Sequence, residues 1–435
     1  MPESGPLPNA NQVFNRTYPG ERAERQPVHT VYGGGHLFRS DTTRRLGALA
    51  QRALNRFGET PAGFAAAVGL ASAQAESVYT LIVEKLAREP VEDYRIDFED
   101  GYGRRPDAEE DGDATRAAGE VARGMEDGTL PPFIGIRIKP LNEELRRRSV
   151  KTLELFIEAL AAAARGTPPG FVVTLPKIVL PEQVSDVTDR LSVLEERLGL
   201  PAGSVPLELM VEMPQAILGP DGRCPLLSLV AAGAGRVRGA HFGTYDYTAG
   251  LGISAPYQRM SHPVCDLAKG AMQVALAGTG VWLSDGATAT LPVAPHRPAE
   301  GEALAAELEA GNRESVYRAW AMHFADVRHS LETGFYQGWD LHPAQLPTRY
   351  AAVFGFFREG LEAAGARLRN LVARAAQATV SGDVFDDAAT GQGLLNYLLR
   401  AVNSGAVSEA EAVAVAGLTR EDLQRRDFRA LLTRG

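Results

Sequence analysis

Cysteine is nearly missing from these 435 residues, with Cys224 and Cys265 as the only two. Two thiols make no disulfide framework, and their spacing fits no zinc motif, so both are read as buried thiols in a reducing cytoplasm. A basic excess is missing as well. With 45 Lys and Arg against 54 Asp and Glu, the formal net charge is −9, and a nucleic-acid partner is not expected. No run approaches the eighteen consecutive apolar residues of a membrane span. Residues 1–26 are polar, lack the apolar stretch of a signal peptide and read as a flexible N-terminal tail. The expectation is a soluble cytoplasmic protein whose partners are small molecules.

What is present is an alternation. Strand-like runs lie at Pro27–Tyr32, Tyr94–Phe98, Phe133–Ile138, Phe171–Leu175, Leu207–Val211, Val237–Phe242 and Val281–Leu283, with a weaker one at Gly338–Leu341. Helix-period segments separate most of them. Leu153, Phe156, Ile157, Leu160, Ala161 and Ala164 form one helical stripe, and Val264, Leu267, Ala268, Ala271, Val274 and Ala275 form another. Strands that alternate with helices pair in parallel, because a parallel neighbour needs a crossover. Eight such units predict a (β/α)8 TIM barrel over residues 27–349, with an open doubly wound sheet as the alternative. Residues 350–435 predict a C-terminal all-helical extension, in which Ser408 with Glu411 and Thr419 with Asp422 read as capping boxes.

Barrels of this kind carry their chemistry in the loops after the strands. After the first strand, Gly33-Gly34-Gly35 can let backbone approach a phosphate or carboxylate, and His36 is a candidate base. The second strand ends on Asp97-Phe98-Glu99-Asp100, and alternation puts Asp97 and Glu99 on one face. Such neighbouring acids repel unless a cation lies close, which makes Glu99 and Asp100 catalytic candidates. Arg137 sits between Ile136 and Ile138, so burial on a barrel interior requires a carboxylate partner, from substrate or from the second strand. Lys177 follows the fourth strand and reads equally as an anion contact or a solvated rim lysine. The fifth and sixth apolar runs each end near an acid, Glu212 and Asp246. Two carboxylates in adjacent units, without histidine or thiol, suit Mg²⁺, or alternatively Mn²⁺, rather than zinc. Gly243 and Gly250 beside Asp246 are read as letting backbone come close to metal and substrate, with Gly243 and Thr244 as substrate contacts.

The segments Phe98-Glu99-Asp100-Gly101, Ile136-Arg137-Ile138, Leu175-Pro176-Lys177, Val211-Glu212-Met213, Phe242-Gly243-Thr244-Tyr245-Asp246-Tyr247 and His342-Pro343-Ala344-Gln345 occur in this order. Together they resemble the HpcH/HpaI aldolase and citrate lyase β-subunit-like family. The resemblance implies a phosphoenolpyruvate/pyruvate-type barrel, Mg²⁺ on Glu212 and Asp246, Arg137 on a 2-oxo acid, and a homo-oligomer, trimer or hexamer. This chain departs from that pattern in two places. His29-Thr30-Val31-Tyr32-Gly33-Gly34-Gly35-His36 stands where lyases acting on CoA thioesters carry a different first strand, which leaves CoA use open. Asp100 follows Glu99 where the aldolase branch carries a histidine, which leaves His36 as the candidate base.

The expected function is that of a Mg²⁺-dependent carbon–carbon lyase or aldolase working through the enolate of a 2-oxo acid or acyl compound, with a small carboxylate as substrate. The alternatives are phosphoryl transfer involving phosphoenolpyruvate, with Gly33–Gly35 on the phosphate, and a metabolite-binding barrel without catalysis.

Overall fold

The computed structural model describes residues 6–22, 24–164, 166–298, 303–381 and 388–432. Eight parallel strands, β1 (His29–Gly34), β2 (Asp93–Asp97), β3 (Phe133–Arg137), β4 (Phe171–Leu175), β5 (Leu207–Val211), β6 (Val237–Phe242), β7 (Trp282–Ala287) and β8 (Gln337–Asp340), pair in chain order. The barrel closes where His29 pairs with Gly338 and Val31 with Asp340. Helices fill the intervals, as a parallel barrel requires.

The first helical stripe packs as its period predicts: Leu153, Phe156, Ile157 and Leu160 of the helix Arg146–Ala164 are buried, each contributing roughly 1.5–3 kcal/mol. The second does not. In the helix Pro263–Leu276 the buried residues are Cys265, Ala268, Lys269, Met272 and Leu276, while Leu267 and Val274 are 70% and 84% exposed. The sequence hides this phase because the inward face contains a lysine. Lys269 Nζ meets Asp285 of β7 at 2.9 Å, so the charge is neutralised where it is buried. Cys265 is buried as expected, but Cys224 is exposed, in the loop ahead of the helix Leu226–Ala232.

The interior of the barrel is more polar than the branched apolar filling usual for this fold. Arg95 of β2 donates from Nη2 to Glu208 of β5 at 2.7 Å and from Nε to Thr174 of β4 at 3.0 Å, and its Nη1 meets Asp93. His241 of β6 faces Glu208 at 3.3 Å and accepts from Trp339 of β8 at 3.2 Å. Nearest the N-terminal end, Thr30 Oγ1 donates to Asp93 at 2.9 Å. Residues 93, 95 and 97 all face inward, as a two-residue repeat dictates.

A second buried polar group fastens the outer helices. Asp340 accepts from Arg349 at 2.9 Å and meets His29 Nδ1 at 2.6 Å and His323 Nε2 at 2.9 Å. Burial alone would raise the Asp340 carboxyl, but Arg349 and the two imidazoles hold it well below its usual range. Burial is the main reason that His323 is lowered.

The expected boundary at residue 350 falls inside one continuous helix, Leu346–Ser381. That helix covers the barrel wall through Tyr350, Phe354 and Phe357, all buried, and then leaves it to support the shorter helices that follow. Both capping boxes form, at Ser408/Glu411 and Thr419/Asp422. The polar N-terminal segment contains a helix, Pro6–Thr17. The chain after it is anchored to the barrel, with Arg22 Nε donating to Gly280 O at 2.6 Å and Gln26 Nε2 to Leu283 O at 3.1 Å. Among the described residues no helix is long and apolar enough to cross a membrane.

Candidate active site

At the C-terminal mouth of the barrel, Arg137 is the hub. Its Nε and Nη2 form a fork onto Asp97, at 2.7 and 2.6 Å. Asp97 also accepts the main-chain N–H of Glu99 at 2.9 Å and of Gly101 at 2.7 Å. Burial would raise this carboxyl, but the arginine and the two amides lower it, so Asp97 stays ionised and fully occupied. The remaining edge of the guanidinium, Nη1, faces outward with Glu99 Oε2 at 3.0 Å and Asp100 Oδ2 at 3.7 Å. Tyr32 lies beneath it, with the guanidinium carbon 4.8 Å from the ring centre. The carboxylate partner expected for Arg137 from the second strand is thus Asp97, with Glu99 as a further contact.

Glu99 is buried and Asp100 is exposed. Burial pushes the Glu99 carboxyl upward, Asp100 adds to this, and Arg137 and Lys177 only partly offset it. Its Oε2 receives no hydrogen bond of good geometry. Its Oε1 receives Lys177 Nζ at 2.5 Å. Lys177 Nζ also stands 3.7 Å from Asp100 and 3.6 Å from Asp246. Burial alone would lower this ammonium, but the carboxylates, Glu212 foremost, raise it. Lys177 thus stands inside the acidic cluster and is not a solvated rim residue.

Glu212 is almost wholly buried at the end of β5, and its Oε1 accepts the main-chain N–H of Lys177 at 2.7 Å. Loss of water pushes its carboxyl up to about 8; Lys177 and Arg137 pull it down, and Asp246 and Glu99 push it up again. Gly243 makes this placement possible, because a Cβ there would lie 2.4 Å from Glu212 Cβ and 2.7 Å from Oε2. Asp246 lies in the first turn of the short helix Thr244–Gly250, where a negative charge is favoured. Thr244 is buried and its Oγ1 is unpartnered. Tyr245 anchors this helix to the end of β7 by donating to Ala287 O at 2.9 Å and accepting from Ala289 N at 2.8 Å.

The mouth thus brings together Glu99, Asp100, Arg137, Lys177, Glu212, Gly243, Thr244 and Asp246. His36 lies apart. It packs edge-on against Tyr102, 5.5 Å between ring centres. Burial, then Arg105, lowers its pKa, and Asp113, Arg116 and Glu109 are the other charges that act on it. All of these lie on the chain following β2.

The glycines Gly33 and Gly34, which end β1, and Gly35, which follows it, do not form an open cradle. A Cβ on Gly33 would strike Tyr94 Oη at 2.0 Å, one on Gly34 the Gly101 carbonyl at 2.4 Å, and one on Gly35 the Phe98 ring at 2.7 Å. They are glycines because Tyr94 of β2 and the Phe98–Gly101 turn after it occupy that space. Gly250 similarly abuts Pro214, 3.0 Å from where its Cβ would be. Sequence reasoning also passed over Arg95 and Glu208, which lie directly beneath the mouth. Their signal was the polar residue every second position in Asp93-Tyr94-Arg95-Ile96-Asp97.

Among the described residues no three His, Cys, Asp or Glu side chains are grouped so as to hold a metal ion by themselves. The donors present nevertheless suit a hard cation. Glu212 and Asp246 offer only oxygen, their mutual repulsion helps to raise Glu212, and Glu99 Oε2 has no well-aligned hydrogen bond among the described residues.

Fold and mouth define a closed (β/α)8 barrel whose C-terminal end is crowded with carboxylates around one arginine and one lysine. The chain belongs to a family described as a domain of unknown function (DUF6986), matched over residues 7–431. No curated protein matches it. Solved structures similar to it include Haloferax volcanii malate synthase, native at 3 mM glyoxylate, at 14% identity and a TM-score of 0.46, covering 77% of this chain and 76% of that one. The magnesium/glyoxylate complex of the same enzyme aligns at 13% identity and a TM-score of 0.44, covering 95% of this chain and 100% of that one. An HpcH/HpaI aldolase from Desulfitobacterium hafniense DCB-2 aligns at 12% identity and a TM-score of 0.40, covering 77% and 93%.

Proposed function

We propose that this protein is a Mg²⁺-dependent carbon–carbon lyase or aldolase that acts through the enolate of a 2-oxo acid or acyl compound. The observation that carries the proposal is the convergence of Arg137 Nη1, Glu99 and Lys177 Nζ, with Glu212 gripped by the backbone of Lys177 and Asp246 3.6 Å from its ammonium. Glu212 and Asp246 would hold the cation, with Mn²⁺ as a substitute. When bound, the cation supplies Lewis acidity to the carbonyl beside the bond that breaks or forms.

The chain's own residues do the rest. Asp97 fixes the guanidinium plane of Arg137, so that Nη1 is pre-aimed at the carboxylate or developing oxyanion of the substrate. Glu99, raised by burial and in contact with Lys177, is the carboxyl suited to hold or move a proton at Oε2. Thr244 Oγ1 and the Gly243 backbone offer polar contacts to the substrate. Phosphoryl transfer loses its motivation with the closed packing of Gly33–Gly35.

Turnover of a panel of 2-oxo acids, β-hydroxy acids and acyl-CoA thioesters, with Mg²⁺ and with chelator, tests the proposal. Cleavage or condensation of at least one member, abolished by chelator, is the expected result; metal-independent turnover contradicts it.

A further inference from the structure

A cavity of about 450 Å³ lies at the opposite end of the barrel. It opens beside Val28 just ahead of β1, Trp282 at the start of β7 and Tyr336 just ahead of β8, and the helix Ala388–Asn403 closes its outer side. Its size falls within the range of small-molecule sites. The mouth described above, by contrast, is built on the last residues of the strands.

Three arginines line it: Arg22, Arg400 and Arg426. Arg400 is satisfied, with Glu21 at 3.0 Å and the Tyr336 ring centre at 4.0 Å. Arg22 uses Nε on the Gly280 carbonyl, and among the described residues Arg426 reaches only the Arg22 carbonyl, at 3.4 Å. Neither guanidinium has a carboxylate oxygen within 4.0 Å among the described residues. Glu24, the other acid of the lining, is 3.9 Å from Arg238. Three arginines thus face two glutamates in this lining, and the two half-buried guanidiniums of Arg22 and Arg426 are the ones left without a carboxylate, so the cavity carries positive charge that an anion can neutralise.

The position of Arg426 is fixed by the fold. It adopts φ +57°, a left-handed conformation that costs a residue with a side chain about 1–2 kcal/mol. Its carbonyl is held by Gln392 Nε2 at 3.0 Å, and Gln392 Oε1 in turn accepts Phe428 N at 2.9 Å. Asn396, to which Gln392 also donates at 2.8 Å, presents a neutral polar group to the same space. Guanidinium forks match the oxygens of phosphate and carboxylate.

We infer that this cavity binds a small organic dianion, a phosphate monoester or a dicarboxylate, between Arg22 and Arg426. Because the N-terminal segment, the start of β7 and the C-terminal helices all contribute to its lining, occupancy would tie the extension to the barrel and raise its resistance to unfolding. The inference is independent of the chemistry at the mouth.

The test is calorimetric titration and thermal unfolding of the full chain with glycerol 3-phosphate, inorganic phosphate and succinate, against chloride at equal ionic strength. Saturable binding and a raised unfolding temperature are expected for at least one probe. The affinity should fall at least about tenfold in Arg22→Gln and in Arg426→Gln. Arg22→Lys and Arg426→Lys, which keep the charge and lose the fork, should lie between. Preference for the phosphate ester or for succinate identifies the source of the dianion. Absence of saturable binding by all three probes overturns the inference. So does binding that the glutamine and lysine variants leave unchanged, since a dianion held by Arg137 at the mouth would behave that way.

Discussion

The main-chain N–H of Lys177 donates to Glu212 Oε1 at 2.7 Å while the Nζ of the same residue reaches Glu99 and stands 3.6 Å from Asp246. Lys177 does both with φ at +52°, a conformation uncommon for a residue with a side chain. Backbone strain at a functional position is expected where the surroundings over-determine it. One residue thus positions the buried acid and neutralises its neighbours. Lys177→Ala should keep the amide contact and remove the ammonium. Mg²⁺ affinity should then rise severalfold, because a competing positive charge is gone, while turnover falls by at least about a hundredfold. Titration calorimetry and steady-state kinetics read the two effects separately, and a parallel loss of both would contradict this role.

Gly243→Ala tests the close approach on which Glu212 depends. The added methyl would lie 2.4 Å from Glu212 Cβ, so either the loop or the carboxylate must move. The expected outcome is weaker Mg²⁺ binding by at least about tenfold with an unchanged far-ultraviolet circular dichroism spectrum.

Metal affinity should depend on pH in a defined direction. Burial pushes Glu212 up to about 8, and a protonated carboxyl cannot ligate. Below pH 8 each bound ion must displace a proton, so affinity should fall about tenfold per pH unit toward pH 6. Calorimetry at pH 7 in two buffers of different ionisation enthalpy should register the released proton, and identical heats would count against it.

Much of this organisation was legible in the chain before any coordinates. The β4, β5 and β6 spans coincide with their apolar runs because a barrel strand buried on both faces leaves a continuous signal. Glu212, Asp246 and Arg137 were legible because each places a charge where an apolar run requires an explanation. Other features depend on distance along the chain. Arg95 and Glu208 are 113 residues apart, and His29 and Asp340 are 311 apart, so no local pattern joins them. Lys269 misled the helical phase because its partner, Asp285, lies on a different element. The Gly33–Gly35 run looked like a ligand cradle because sequence shows a missing side chain but not what fills its space.

Asp97 holds Arg137 through a buried fork. Asp97→Ala removes the fork and leaves the guanidinium to Glu99, so urea unfolding should show a loss of about 3–5 kcal/mol. Glu99→Ala should cost less, because the fork remains. A smaller loss for Asp97→Ala than for Glu99→Ala would reverse the assignment of the main partner.

Acid should destabilise the fold through His323. Its folded pKa is lowered, chiefly by burial, so below about pH 6.5 the unfolded chain binds the proton more readily than the native one. Stability therefore falls as pH drops from 6.5 through the folded value. His323→Gln should make the urea midpoint less sensitive to pH between 7.5 and 5.5. An unchanged slope would place the acid sensitivity elsewhere, His36 and His342 being further imidazoles lowered by burial.

The proposed role of the mouth is to stabilise an enolate with a cation on Glu212 and Asp246. Nuclear magnetic resonance can follow deuterium uptake from D₂O into the C3 protons of 2-oxo acids and the methyl protons of acetyl-CoA. With Mg²⁺, catalysed exchange is expected for at least one compound, lost with chelator and in both Glu212→Gln and Asp246→Asn while the variants stay folded. Exchange that proceeds equally with chelator or in both variants, or no exchange of any compound with Mg²⁺ present, would contradict it.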